Sequence, residues 1–330
     1  MHVSVVIPVY NAASTLRKLV ARLIAVLDRL GNQYELILVD DGSRDDSWEV
    51  LRDLQRSRAD RVVAIQLMRN YGQHNALMCG FRHAAGNYIV TMDDDLQHPP
   101  EEVPHLLNAI QERELDLVYG CYKEKKHNAL RNLASSMMSV FYKTVFNSAI
   151  KTSSFRVMTR ELMESIFSYS LNFTFIDGLL AWNTQRIGEV TINHCESATG
   201  RSRYSFRKLV VLAFNMFTNF SLIPLQIMSA VGVIVAGGGF VAALYYLYQY
   251  LSSGIPVPGY ASIIVSVLVL GGLQLLALGI MGEYLGRLHL NVNRKPQYAV
   301  RQVHRGKPSQ ESEENAARVA FASAGKQQQR

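Results

Sequence analysis

The sequence predicts an α/β layer joined to a membrane-embedded segment, and three observations carry that expectation. From the N-terminus, apolar runs too short for helices alternate with segments of helical period, the pattern of a doubly wound sheet. Two acidic clusters fall where a strand ends and a helix is about to begin. From Leu209 through Gly282 there is no Asp, Glu, Lys, Arg or His, whereas charged residues are spread through everything before and after. At 330 residues the chain also exceeds the usual single-domain size, so two structural units are expected.

Strands are expected at residues 3–9, 34–39, 62–67, 88–92 and 115–119. Between the first two, Leu16, Leu19, Val20, Leu23, Ile24, Leu27 and Leu30 follow i, i+3, i+4 spacing behind Ser14 as a cap, which makes a sheet-covering helix. Ser43 with Asp46 three residues on, just before Trp48 and Leu51, reads as the cap of a second helix. Pro99 and Pro100 suit a helix start, Glu101 and Glu102 favour its positive end, and Val103, Leu106, Leu107 and Ile110 form its buried stripe. A further helix is expected over 129–146, with Leu133, Met137, Val140, Phe141 and Val145 on one side. Another over 205–220 has Phe206, Leu209, Val210, Ala213, Phe214 and Phe217 at helical spacing behind Arg207 and Lys208, as in a helix lying in the headgroup plane.

The charge-free stretch is too long for one crossing, since roughly 20 apolar residues span a bilayer as helix. Two spans, 227–248 and 262–282, are therefore expected around a Pro- and Gly-bearing turn at 252–259. That turn lacks Lys and Arg. Arg201, Arg203, Arg207 and Lys208 precede the first span and Arg287, Arg294 and Lys295 follow the second, so both ends are placed in the cytoplasm. Residues 1–8 lack a basic region followed by a signal-like apolar run, so export of the N-terminal part is not expected. From about Gly306 the chain turns polar and reads as a disordered tail. The expected division is 1–204 catalytic, 205–225 interfacial helix, 226–283 membrane hairpin and 284–330 C-terminal segment and tail.

Cys79, Cys121 and Cys195 are isolated, which excludes a zinc framework or a disulfide scaffold. The net charge of +7 gathers near the membrane segment, which points to anionic headgroups or phosphate-bearing substrates and not to nucleic acid.

Asp93-Asp94-Asp95 follows the fourth expected strand. Three adjacent carboxylates repel one another unless a cation or donor groups compensate them, and the expected cation is Mg²⁺ or Mn²⁺, which take oxygen ligands and complete their shells with substrate phosphates. Gln97 adds a candidate amide oxygen. An acidic triplet alone is weak, because most are solvated loops; its place at a strand end strengthens it. Asp40-Asp41-Gly42-Ser43 ends the second strand in the same way, and carboxylates there can accept from ribose hydroxyls or a base N–H. Ile7-Pro8-Val9-Tyr10-Asn11 ends the first strand, giving a third element at the same sheet edge.

These segments, with Arg69-Asn70-Tyr71-Gly72-Gln73-His74, Asp93-x-Asp95-Leu96-Gln97-His98-Pro99-Pro100-Glu101, Gly200-x-Ser202-Arg203-Tyr204-Ser205 and Gly282-Glu283-Tyr284-Leu285-Gly286-Arg287, resemble in order the family 2 glycosyltransferases of GT-A, Rossmann-like fold. The resemblance extends to their polyprenyl-phosphate branch, which includes dolichyl-phosphate mannose synthase and bacterial undecaprenyl-phosphate transferases for glucose and formamido-arabinose. It implies an inverting transfer from a nucleotide sugar to a polyprenyl phosphate at the bacterial inner membrane, by a homotetramer assembled through its membrane part. It further implies that Pro8, Tyr10, Asn11, Asp40 and Asp41 hold the nucleotide and that Asp93 lies near the ribose and donor phosphate. Asp95 with Gln97 would bind the metal; Arg131, Ser135, Arg201 and Arg203 would hold the acceptor phosphate. Asp93, Asp95 and Arg131 are the catalytic candidates, and Asp94 the one expected to tolerate Ala.

Two departures stand out. Ala12 follows the P-x-Y-N pattern where relatives carry Glu, and Lys151-Thr152-Ser153-Ser154-Phe155-Arg156 replaces D-x-G-x-F-R, removing an acidic residue proposed as base. A polyprenyl phosphate is already anionic at neutral pH, so in-line placement and neutralisation of the leaving diphosphate matter more than a base. Lys151 is a candidate phosphate holder. Two alternatives are a processive polysaccharide synthase, whose Q-x-x-R-W motif residues 181–186 do not supply, and a non-catalytic nucleotide-sugar carrier or scaffold, for which the spans offer no polar midpoint.

Overall fold

The computed structural model describes residues 2–122, 152–169, 174–192, 223–253, 260–292 and 296–306. The chain divides into two compact units, one of residues 1–200 with 296–330, the other of residues 201–295.

In the first unit the described residues build an eight-stranded sheet in the order β7-β5-β6-β4-β1-β2-β3-β8. Its strands are β1 (His2–Val9), β2 (Gln33–Asp40), β3 (Val62–Leu67), β4 (Tyr88–Thr91), β5 (Leu117–Tyr122), β6 (Arg156–Thr159), β7 (Ile187–Ile192) and β8 (Val300–His304). β3, β2, β1 and β4 run parallel, whereas β6 and β8 are antiparallel to their neighbours. The near-continuous apolar runs of β1 and β2 follow from burial on both faces.

Helix α1 (Ala13–Leu30) buries Leu16, Leu19, Val20, Leu23 and Leu27 as its spacing predicts. Helices α2 (Ser47–Ser57), α3 (Gln73–Phe81) and α4 (Val103–Glu112) follow β2, β3 and β4, and α4 buries the expected stripe. Helices α5 (Arg160–Ser165) and α6 (Ile176–Asn183) come after β6.

The capping expectations need correction. Ala12, not Ser14, is the N-cap of α1, and the N–H groups at its start are satisfied from the next loop, Ala12 donating to Ser47 Oγ (2.8 Å) and Ala13 to Asp45 Oδ2 (3.2 Å). Ser43 does not cap α2, which opens four residues later behind Asp46; its hydroxyl accepts the Asn11 N–H instead (3.0 Å). At α1 tertiary acceptors have displaced a local one; at α2 the expected cap is engaged by a tertiary donor, and the Ser47 N–H turns to Asp45 Oδ1 (3.1 Å).

Residues 300–304, in the C-terminal segment that precedes the expected tail and where no strand was expected, form the edge strand β8 on β3. The fifth strand starts at Leu117, and β6 and β7 join the sheet without having been expected. The helices expected over 129–146 and 205–220 lie outside the described residues.

The second unit holds α7 (Ile223–Ser253) and α8 (Tyr260–Val292). Val233, Ile234, Phe240, Leu275 and Leu276 are exposed on these helices. One helix among the described residues, α8, is long and apolar enough to cross a membrane, over Val269–Gly286; the apolar stretch of α7, Leu225–Val241, is shorter. Two crossings were expected, and length with composition supports one.

Candidate active site

The loops after β1, β2, β3 and β4 meet at the carboxyl edge of the sheet, beside the point where the strand order reverses around β1. Carboxylates bind these loops to one another. The Asp41 N–H donates to Val9 O (2.8 Å), and Asp41 accepts from the Tyr71 N–H at Oδ1 (2.7 Å) and the Gly72 N–H at Oδ2 (2.8 Å). Burial pushes the Asp41 carboxyl up to about 6 against the pull of those two N–H groups. Asp40, fully buried, accepts from the Ser43 N–H (3.1 Å) and from Gln66 Nε2 (3.3 Å).

The Asp40 carboxylate has no exposed surface, and with these two donors it holds the turn after β2. Asp41, 3% exposed, does the same for the loop after β3. Tyr10 and Asn11 are exposed on this edge, and Asn11 adopts a left-handed φ of 54° that lets its Oδ1 accept the Arg44 N–H (2.8 Å). Pro8 is buried in β1 opposite Val39 and sets the approach of Tyr10.

The three consecutive aspartates have three different partners. Asp93 accepts from Gln73 Nε2 at Oδ1 and from Ser154 Oγ at Oδ2, both at 2.6 Å. Asp94 accepts the Tyr10 N–H (3.0 Å), and its carboxyl is pushed up to about 6 by burial, opposed by that N–H and reinforced by Asp93 and Asp95. Asp95 accepts the Gln97 N–H (3.0 Å) across a turn in which Leu96 has φ 62°. Tyr122 Oη in turn donates to Gln97 O (2.9 Å). His98 is buried between Tyr122 and Phe155, with ring centroids 5.8 and 5.3 Å away, and its Nδ1 has no partner among the described residues. Burial lowers its pKa, against the raising influence of Asp93 and Asp95.

Behind this edge Arg156 and Asp177 form a buried ion pair, joined by Tyr119 Oη donating to Asp177 (2.9 Å) and Arg156 Nε donating to Thr91 Oγ1 (3.1 Å). Sequence reasoning missed Ser154, Gln73 and Asp177 as parts of this network. Ser154 lay inside the segment marked as a departure and Gln73 inside a recognised motif; for Asp177 the sequence carries no signal.

Among the described residues no three His, Cys, Asp or Glu side chains converge into a metal cage. The donor set at Asp95 and Gln97 fits a hard divalent ion whose shell is completed by substrate phosphates, since such ions bind proteins through one or two carboxylates. Arg131, Ser135, Lys151, Arg201 and Arg203 lie outside the described residues.

Residues 4–169 match the family described as glycosyl transferase family 2. The chain is 35% identical over 318 residues to undecaprenyl-phosphate 4-deoxy-4-formamido-L-arabinose transferase of Edwardsiella ictaluri, covering 94% of this chain and 97% of that protein. It is 35% identical to the protein of the same name from Aeromonas hydrophila, with the same coverage, and 34% identical over 307 residues to that of Shewanella sediminis, covering 91% and 92%. Among solved structures it is similar to glucosyl-3-phosphoglycerate synthase from Mycobacterium tuberculosis, at 20% identity and a TM-score of 0.48, covering 66% of this chain and 76% of that one. With a family match over half its length and near full-length identity to named transferases, the chain belongs to glycosyl transferase family 2 and is a sugar-transferring enzyme.

Proposed function

We propose that the chain moves one sugar per cycle, with inversion, from a UDP-linked nucleotide sugar to undecaprenyl or another polyprenyl phosphate at the cytoplasmic face of the bacterial inner membrane. The observation that carries this is the reach of the likeness: identity to undecaprenyl-phosphate transferases spans 94% of the chain, the apolar helices included.

An oxygen of the lipid phosphate attacks the anomeric carbon, its bond to that carbon forms, and the bond to the leaving nucleoside diphosphate breaks. The nucleophile is already an anion, so no protein base removes a proton, which fits a chain with Lys151 where an acid was expected. Asp95 with Gln97 would hold Mg²⁺ or Mn²⁺, which when bound would neutralise charge on the departing diphosphate. Asp93 accepts hydroxyls of the donor, Tyr10 and Asn11 border the nucleotide, and Pro8, Asp40 and Asp41 hold the loops that shape its pocket. Arg131, Ser135, Arg201 and Arg203 receive the acceptor phosphate, with Lys151 as a further candidate. The anchor is read as two crossings preceded by an interfacial helix at 205–225, in a homotetramer.

Membranes containing the chain, incubated with a panel of labelled UDP- and dTDP-sugars, undecaprenyl phosphate and Mg²⁺, test this. Label should enter the lipid from one donor, and the same donor should raise the thermal midpoint. No labelled lipid from any donor would favour a carrier or scaffold.

A further inference from the structure

Asp93 is held from two sides by elements far apart in sequence, and the geometry points to Ser154 and Gln73 as positioning residues that clamp its carboxylate for the donor. This rests on the proposed role of Asp93 as the donor contact.

Each half of the clamp is itself fixed. Ser154 precedes β6, whose register places Arg156 opposite Thr91, two residues before Asp93. Thr91 Oγ1 donates to Ser154 O (2.7 Å), and Arg156 Nε donates to Thr91 Oγ1 (3.1 Å) while its guanidinium is paired with Asp177. The Gly120 N–H donates to Phe155 O (2.9 Å), so the backbone on the other side of Ser154 is tied to β5. A hydroxyl delivered from such a frame has little freedom to leave Asp93.

Gln73 is the first residue of α3, and the preceding Gly72 has φ 91° with its N–H on Asp41. Asp41 therefore sets where Gln73 starts, and Gln73 Nε2 reaches Asp93. The acidic motif after β2 is coupled through one amide to the acidic motif after β4.

Both donors are neutral, so they orient Asp93 without cancelling its charge. A carboxylate has about four lone-pair sites, and two remain for donor hydroxyls after Gln73 and Ser154 are satisfied. A freely rotating carboxylate would have to be ordered during each turnover; the clamp orders it beforehand.

The test uses the full chain in membranes or detergent, with the UDP-sugar that labels undecaprenyl phosphate in the wild type. Ser154→Ala should lower kcat about tenfold, the scale of one hydrogen bond to a charged group. The thermal midpoint without ligand should change little, and donor KM should rise modestly. Ser154→Thr, which keeps the hydroxyl, should recover most of that loss, whereas Gln73→Leu should mimic Ser154→Ala. Because both act on one carboxylate, the double variant should fall short of the product of the two single losses.

A second readout needs no turnover: the rise in thermal midpoint given by UDP with Mn²⁺ should be smaller in Ser154→Ala than in the wild type. Ser154→Ala with wild-type kcat and wild-type stabilisation overturns the clamp, as does Ser154→Thr no better than Ser154→Ala. An Asp93→Asn variant with full activity overturns the role of Asp93 itself while leaving the transferase reading intact. A wild-type chain that labels no lipid and is not stabilised by UDP with Mn²⁺ overturns both.

Discussion

Gly42 sits at φ 69°, and a Cβ placed on it would lie 2.6 Å from the backbone carbon of Arg69. Two costs coincide there, a left-handed conformation and a collision with main chain that has no rotamer to yield. Gly42→Ala should destabilise the fold by about 2 kcal/mol or more and displace the loop that carries Tyr71 and Gly72, an outcome read by chemical denaturation together with donor affinity. Asp94 is a second residue whose meaning changed with the structure. Expected to tolerate Ala, it accepts the Tyr10 N–H and so ties the end of β1 to the loop after β4. Asp94→Asn, which keeps an acceptor oxygen, should stay close to wild-type turnover, whereas Asp94→Ala should lose about fivefold to tenfold by releasing the Tyr10 N–H and loosening the end of β1. Asp95→Ala should abolish metal-dependent transfer. Steady-state rates at saturating Mn²⁺ separate the three.

At the scale of elements, β8 shows how a segment after the apolar helices becomes part of the first, sheet-bearing unit. It covers the edge of β3, which would otherwise offer unpaired backbone groups to other chains. Side chains fasten it: Gln302 Nε2 donates to Gln66 Oε1 (2.9 Å), the Trp48 and His304 rings lie 5.6 Å apart, and Arg305 pairs with the buried Glu35 (3.1 Å). Glu35 also accepts from Ser4 Oγ (2.7 Å) and the Ala85 N–H (2.6 Å), so the last contact joins a network already shared by β1, β2 and the entry to β4. Amide hydrogens of residues 300–304 facing β3 should exchange as slowly as those of edge strand β7. Glu35→Ala should speed their exchange and lower the thermal midpoint. Exchange at 300–304 as fast as in an unstructured peptide would contradict this account of the edge.

For the molecule as a whole, His74 in the buried polar centre behind the active edge contributes an acid-sensitive part of the stability, opposed by the raised Asp41 and Asp94 carboxyls. His74 faces the Phe175 ring edge-on, its Nδ1 accepts the Ile176 N–H (3.5 Å), and burial lowers its pKa to about 4, with Asp177 raising it and Arg156 lowering it. The unfolded chain takes up this proton near the ordinary value of 6.5, the folded chain only near 4. Stability from His74 is thus complete above about pH 6.5 and is lost as pH falls through that window. His74→Gln should flatten the fall of the thermal midpoint between pH 6.5 and pH 4 even where it lowers the midpoint at neutral pH. An unchanged slope would place the acid sensitivity elsewhere.

Periodicity was enough to find α1, α4, the parallel core β1 to β4 and the apolar helices, because each depends on a repeat contained within its own segment. The acidic motifs were legible for the same reason: carboxylates at strand ends announce a ligand edge whatever packs around them. Antiparallel β6 and β8 were not legible, since four or five residues gain strand character only from a partner distant in sequence, Thr91 for Arg156 and Ala64 for His304. The division of labour among the aspartates was equally hidden. Three identical residues in a row differ only in the donors that folding brings to them: Gln73 and Ser154 for Asp93, Tyr10 for Asp94, Gln97 for Asp95. The sequence determined that there is an acidic edge at the strand ends and a pair of apolar segments; only the tertiary structure decided which carboxylates are buried in the loops and which donors each one accepts, because burial and hydrogen-bond partners belong to the folded chain.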